Sequence, residues 1–220
     1  DVARDQGMTV DLAGYQAALS EQKGRGRASA QFGAQGVEGL QIYLDLLRDL
    51  KAEGVLPASG VAHVYEDDFE RETTVAALLR EGACVSGVRL GEAVEVVLLE
   101  TPFYVESGGQ VGDSGFIARY ASEDDEDPIW EIRVDDVRRP VAGLIVHIGE
   151  VTKGQVAAGE KAWAEVEVER RMDIMRNHTA THILHSELRY ILGEHVHQAG
   201  SVVAPDRNWS ISGHSKTLHR

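Results

Sequence analysis

Two histidines one helical turn apart, His178 and His182, are the residues of this sequence best suited to chemistry. Apolar residues recur at steps of three and four from residue 180 onward, which predicts an amphipathic helix that ends at Gly193. Because positions i and i+4 leave the same face of a helix, both imidazoles can converge on one ion at the roughly 2.0–2.1 Å of a zinc–nitrogen bond. The pair therefore predicts two of the ligands of a zinc site. His185 lies on the same side of the helix and is either a third ligand or a residue at the core edge.

The histidine pair does not belong to the metalloprotease type. That motif, His-Glu-x-x-His, places a general-base glutamate directly after the first histidine, and this chain has Thr179 there. Two structural histidines remain the alternative interpretation, since such a pair also arises by chance.

A second distinctive stretch, TPFYVESGGQVGDSG, covers residues 101 to 115. Its glycines allow positive φ or close approach of two backbones. Gln110 and Asp113 can satisfy turn amides, so a purely structural interpretation is possible.

The elements that must position both stretches are mainly strands. From Gly60 the hydrophobic period is two, and turn residues recur about every ten positions, which predicts a small antiparallel barrel. The expected strands are Val61–Tyr65, Thr73–Leu79, Ala83–Leu90, Ala93–Leu99, Gly115–Arg119, Trp130–Val137, Leu144–Ile148 and Ala162–Val168. The acidic run at residues 122 to 128 is expected to be a solvated loop. Two helices should precede the barrel, one capped by Asp11 and one at about Leu40–Glu53.

Composition is that of an ordinary globular protein, with 220 residues, 43% of them hydrophobic. No apolar run reaches the roughly 20 residues of a membrane helix, and the N-terminus does not resemble a signal peptide. The single cysteine, Cys84, fits a reducing compartment. We therefore expect a cytoplasmic protein without a membrane partner.

Charge is unevenly distributed along the chain. The net charge is −14, yet residues 170 to 220 carry +3. A polyanion such as RNA should therefore contact the C-terminal quarter, and a second basic stretch lies at residues 23 to 27.

Residues 176–189 and 193–207, together with the stretch at 101–115, resemble the alanyl-tRNA synthetase family. The resemblance covers about residues 1 to 207. It implies an α+β fold with the end of a helical tRNA-recognition region (1–58), a translation-factor-type β-barrel (59–169) and the start of an α+β editing domain (170–207). Residues 208 to 220 depart from the family and are expected to be poorly ordered.

The resemblance implies part of an alanine–tRNA ligase, in the region that hydrolyses serine or glycine wrongly attached to tRNA(Ala). The expected partner is the acceptor end of that tRNA, with no DNA partner. His178 and His182 match the first two zinc ligands of the family. Gln198 matches a polar residue that orients substrate or water, and Thr181 a pocket hydroxyl.

Ser107, Gly108 and Gly109 have a functional interpretation beside the structural one. Their backbone N–H groups can form part of the pocket for the terminal adenosine and its ester. Asn177 is expected to be a helix N-cap rather than a catalytic residue.

The family completes its zinc site with a downstream Cys-x-x-x-His pair, and this chain has no cysteine after Cys84. Since catalytic zinc usually has three protein ligands, the chain alone is expected to be inactive, with an incomplete Zn²⁺ site. ATP and Mg²⁺ would belong only to an aminoacylation core outside this chain. The alternatives are a free-standing trans-editing deacylase and a non-catalytic barrel that binds RNA or protein.

Overall fold

The fold combines two helices with a strand-rich central region, seen in a computed structural model that describes residues 37–64, 69–122, 125–193 and 196–213. The helices in these ranges are α1 (Val37–Ala52) and α2 (Val168–Leu192). The strands are β1 (Ala62–His63), β2 (Glu70–Arg80), β3 (Ala83–Val85), β4 (Gly87–Arg89), β5 (Ala93–Leu98), β6 (Glu100–Thr101), β7 (Gly115–Arg119), β8 (Trp130–Val141), β9 (Leu144–Lys153), β10 (Gln155–Ala157), β11 (Lys161–Val166), β12 (His197–Val203) and β13 (Asn208–Gly213).

Six strands close into an antiparallel barrel. Their order is β11-β7-β8-β9-β5-β2, and β2 pairs back onto β11. Trp163 on β11 marks the closure, because it stands opposite Glu72 on one side and Ala118 on the other. The prediction of an α+β protein with a small antiparallel barrel is confirmed.

The barrel interior is filled by the alternating residues that the period of two predicts. On β8, Trp130, Ile132 and Val134 are buried, whereas Arg133 between them is exposed. Phe103, from the motif at 101–115, is also fully buried in this core. The region before β7 is thus fixed by packing as well as by its turns.

Helix α1 covers part of the barrel. Its residues Leu46, Leu47 and Leu50 belong to the same buried cluster as the barrel strands. The Tyr43 hydroxyl donates a 2.7 Å hydrogen bond to Glu95 on β5, a carboxylate that is only 6% exposed. Burial raises the pKa of Glu95, since a charge is costly away from water.

Helix α1 agrees with the helix expected at Leu40–Glu53, whereas the helix capped by Asp11 lies outside the described residues. The expected strand Ala83–Leu90 is divided into β3 and β4, and Ala162–Val168 stops at residue 166 because α2 begins at Val168. The described residues of the acidic run lie in the β7–β8 connection, as predicted.

The prediction that the chain is poorly ordered from residue 208 is wrong for residues 208 to 213. They form β13, which pairs antiparallel with β12 from His197↔Gly213 to Val203↔Asn208. The sequence NWSISG alternates apolar and small polar residues, the pattern of a strand. Residues 214 to 220 lie outside the described ranges.

Helix α2 is long and mostly exposed. Only Ile174 and Thr181 among its described side chains are buried. The predicted helix is present, but Ile183 and Ile191 of its apolar stripe are 59% and 72% exposed. Neither described helix has both the length and the hydropathy needed to cross a bilayer.

Candidate functional site

The glycine turn, residues 107 to 110, is held against strand β12. Ser107 and Gln110 exchange backbone hydrogen bonds of 3.2 and 3.0 Å, which close the turn. The Val203 amide donates to the Gly109 carbonyl at 2.7 Å, and the Val111 amide donates to the Val203 carbonyl at 3.0 Å. A turn of the barrel and a strand beyond α2 therefore form one continuous backbone network.

Gly109 has a structural reason to be glycine. Its φ is +86°, and a Cβ on it would lie 2.1 Å from the Ser201 carbonyl oxygen. Gly108 also has positive φ, +61°, but no atom lies within 4 Å of its Cβ position. The close approach of β12 thus accounts for the second glycine, while Ser107 and Gly108 remain exposed at the tip of the turn.

A buried ion pair fixes the start of α2 to the same region. The Arg171 guanidinium binds the Asp113 carboxylate, with Nε 2.9 Å from both oxygens, and Asp113 is 1% exposed. Asp113 also accepts the Tyr104 amide at 2.7 Å, as expected for a residue that satisfies a turn amide. Arg171 donates further to the Pro102 carbonyl at 2.9 Å. Because both charges are paired and hydrogen-bonded, this link should be rigid.

The two predicted metal ligands lie side by side. The His178 and His182 rings are stacked, with centroids 4.8 Å apart and an angle of 22° between their planes. His178 is half-buried and its Nδ1 lies 2.5 Å from Oε1 of Gln110 in the glycine turn. His182 is exposed. The structure therefore brings the histidine pair and the glycine turn together, although 68 positions separate His178 from Gln110.

From the sequence, we expected the Gln110 side chain to satisfy turn amides, but its carbonyl contacts His178 instead. The turn is closed by the Gln110 backbone instead, which leaves the side-chain carbonyl for the histidine.

Asn177 is not a helix N-cap. Helix α2 starts at Val168 with Glu167 as its N-cap residue, so Asn177 lies well inside the helix. Its side-chain amide donates to the Ala204 and Pro205 carbonyls at 2.8 and 3.1 Å. The residue thus ties α2 to the segment that follows β12. The run of helix-forming residues before it, with no break from residue 168, was the signal that sequence reasoning overlooked.

The remaining predicted site residues flank this junction. Thr181 is 4% exposed, and its hydroxyl donates to the Asn177 carbonyl at 2.8 Å. Gln198 lies on β12 opposite Ser212, next to a bulge between Gln198 and Gly200. Their roles toward a substrate stay predictions.

The histidine pair fits zinc as two ligands of a larger set. Imidazole nitrogens suit zinc, and a hydrogen bond to the second ring nitrogen is the usual support for a metal-binding histidine. Within the described residues no group of three or more His, Cys, Asp or Glu side chains could hold an ion, so His185 does not complete the set there.

Two other histidines have lowered pKa values, in each case mainly because of burial. The pKa of His63, near the glycine motif, is lowered, and that of His147 in the barrel falls to about 4. His147 is fully buried inside the barrel, whereas the pair of His178 and His182 lies on α2. Sequence reasoning missed it because it lies within the apolar strand β9.

Comparison with known proteins gives a consistent result. A family model described as class II tRNA synthetases (A) matches residues 1–170. The chain is 45% identical over 217 residues to the alanine–tRNA ligase of Chloroflexus aurantiacus, which covers 99% of this chain and 22% of that protein. It is 43% identical over 207 residues to that of Roseiflexus castenholzii, covering 94% and 21%.

The alanine–tRNA ligase of a Ruegeria species is 39% identical over 218 residues, covering 99% of this chain and 23% of that protein. Two of these three matches cover 99% of the chain and the third covers 94%, so the expected loss of resemblance after Arg207 stays a prediction. The chain spans about a fifth of the length of these curated relatives.

Proposed function

Because the chain belongs to the class II tRNA synthetase (A) family, we propose that it is the part of an alanine–tRNA ligase that hydrolyses wrongly attached amino acids. The proposed reaction is cleavage of the ester between serine or glycine and tRNA(Ala). The whole ligase would join alanine to that tRNA with ATP and Mg²⁺, which belong to an aminoacylation core elsewhere in the polypeptide. The proposed location is the cytoplasm.

The observation that carries the proposal is the 2.5 Å contact between His178 and Gln110. It joins the two sequence stretches with the clearest family resemblance into one surface. Stacking of His178 on His182 and the packing of Gly109 against Ser201 bring the histidine pair, the glycine turn and β12 to a common junction. The ester would be bound at this junction, between elements that are hydrogen-bonded to one another.

The residues at this junction have different proposed roles, which follow from the chemistry of their side chains. His178 and His182 would hold zinc, together with ligands supplied from outside these 220 residues. When bound, zinc supplies a Lewis acid that polarises the ester carbonyl or orients the attacking water. Gln198 would orient the substrate or water through its amide, and Thr181 would contribute to the shape of the amino-acid pocket.

The tRNA acceptor end is the proposed partner of this surface. Ser107 and Gly108 are exposed at the tip of the turn, where the Gly108 N–H can approach the terminal adenosine, whereas the Ser107 N–H is bonded to the Gln110 carbonyl within the turn. Helix α2 adds two exposed arginines, Arg176 and Arg189. Because residues 170 to 220 carry +3 in a protein of −14, phosphate binding is best supported here.

The proposed organisation is a helical segment at 1–58, a barrel at 59–169 and the start of an editing domain at 170–207. The pairing of β13 with β12 supports including residues 208 to 213 in the proposed editing domain.

The test uses a complete ligase polypeptide that contains this chain. His178→Ala and His182→Ala should each slow hydrolysis of Ser-tRNA(Ala) by about 100-fold or more, since each removes a metal ligand. Attachment of alanine should remain unchanged. Thr179→Ala is the matched control, because Thr179 is exposed on the same helix and its hydroxyl donates to the Met175 carbonyl one turn earlier.

Hydrolysis that continues at the unmodified rate in both histidine variants would refute the proposal. Binding of tRNA without any hydrolysis, in the unmodified protein, would instead favour a non-catalytic barrel module.

A further inference from the structure

We propose that Gln110 is a positioning residue that sets the protonation site and orientation of the His178 ring for metal binding. The inference rests on the proposed function, because it assigns a partner to one of the proposed zinc ligands. It adds a residue of the glycine turn to the support of the proposed zinc ligands, which lie on α2.

The contact favours one of the two neutral tautomers of the His178 ring. The atom of Gln110 that lies 2.5 Å from His178 Nδ1 is Oε1, and an amide oxygen only accepts hydrogen bonds. With this atom facing the ring, Nδ1 is the donor, so the arrangement favours the tautomer with the proton on Nδ1 and the lone pair on Nε2. A neutral imidazole with a free Nε2 is in the form that binds a metal ion.

Gln110 is itself held firmly. It is 7% exposed, and its backbone is bonded to Ser107 in both directions and bridged to Val203. The glycine turn cannot shift easily, because Gly109 packs against the Ser201 backbone. The carbonyl that orients His178 thus belongs to the rigid barrel and not to the exposed helix α2.

The arrangement explains why a side chain from the barrel is needed. Helix α2 has few buried side chains, so its own packing leaves the His178 ring with little restraint. Stacking on His182 constrains the plane of the ring but does not select a nitrogen. The amide of Gln110 supplies that selection.

The first experiment needs no metal. At about pH 8.5, where ordinary histidine rings are neutral, ¹⁵N chemical shifts of the ring nitrogens report which one is protonated. In the 220-residue chain, His178 should be protonated at Nδ1. Gln110→Met, which keeps length but lacks an acceptor oxygen, should abolish this preference, whereas Gln110→Glu should keep it.

Gln155→Met is the matched control, since Gln155 is exposed on β10. It should leave the His178 shifts unchanged. Protonation of His178 at Nε2 in the unmodified chain, or shifts that Gln110→Met does not alter, would overturn the inference.

The second experiment measures zinc affinity of the complete ligase by competition with a chromophoric chelator. Gln110→Met should weaken binding about 10- to 100-fold, and Gln110→Glu should restore it to within a few fold. Equal weakening by both variants would point to a structural role and contradict the inference.

The two experiments separate the inference from the function on which it rests. If the unmodified ligase binds no zinc, the proposed function fails, while the metal-free shifts still report whether Gln110 sets the His178 ring.

Discussion

The buried His147 predicts a specific dependence of stability on pH. Its ring lies inside the barrel with no exposed surface, 2.8 Å from the Thr101 hydroxyl and 3.1 Å from the Val96 carbonyl. The carbonyl can only accept, so Nδ1 donates to it and Nε2 accepts from the hydroxyl. Both contacts are satisfied by the neutral ring.

Burial lowers the pKa of His147 to about 4, compared with about 6.5 in an unfolded chain. Since the unfolded state takes up the proton first, the stability that the neutral ring contributes is complete above about pH 6.5 and is lost as the pH falls toward 4. The full shift corresponds to about 3 kcal/mol, of which about 1.3 kcal/mol is lost between about pH 7.5 and 5.5.

The assay is urea unfolding of the chain and of His147→Gln at both pH values. The difference in unfolding free energy between them should shrink by about 1.3 kcal/mol on going to the lower pH. Glu95, whose pKa is raised by burial, contributes with the opposite sign but is present in both proteins and cancels. His197→Gln, at an exposed position, is the control. Parallel changes in the unmodified chain and in His147→Gln would refute the reasoning.

Further predictions concern the contacts that assemble the site and the barrel. Arg171→Met should destabilise the chain by about 3–5 kcal/mol, because it leaves a buried carboxylate unpaired; an unchanged melting temperature would contradict this. Gly109→Ala should lower stability more than Gly108→Ala, since both have positive φ but only the first would meet the Ser201 backbone; equal losses in thermal unfolding would exclude close packing as the cause. Tyr43→Phe should lower the free energy of unfolding by about 1–3 kcal/mol, because it removes the partner of the buried Glu95 carboxylate. Urea unfolding measures this, and an unchanged free energy would show that the bond does not hold α1 on the barrel.

The barrel could be predicted because its signal is local. Strands such as β8 alternate buried and exposed residues, and turn residues separate the strands. The end of α2 could also be predicted, because Gly193 directly follows the helix. Its start was not, since nothing before Asn177 breaks the helical pattern. Strand β13 was missed because comparison with a family pattern was given more weight than its own alternation.

Only part of the candidate site could be predicted from the sequence. The spacing of His178 and His182 predicted their proximity, since four positions on a helix determine it. The contact with Gln110 depends instead on how α2 crosses the barrel, and no local pattern carries that information. Arg171 was missed for the same reason, because its partner Asp113 lies 58 positions earlier.

The most direct test of the central claim, that the glycine turn and the histidine pair form one site, is a double-mutant cycle on single-turnover hydrolysis of Ser-tRNA(Ala) by the complete ligase. It combines Gln110→Met with His178→Ala. If the two residues act as a unit, the double variant should be no slower than His178→Ala alone. Losses that multiply, as for independent residues, would contradict the account.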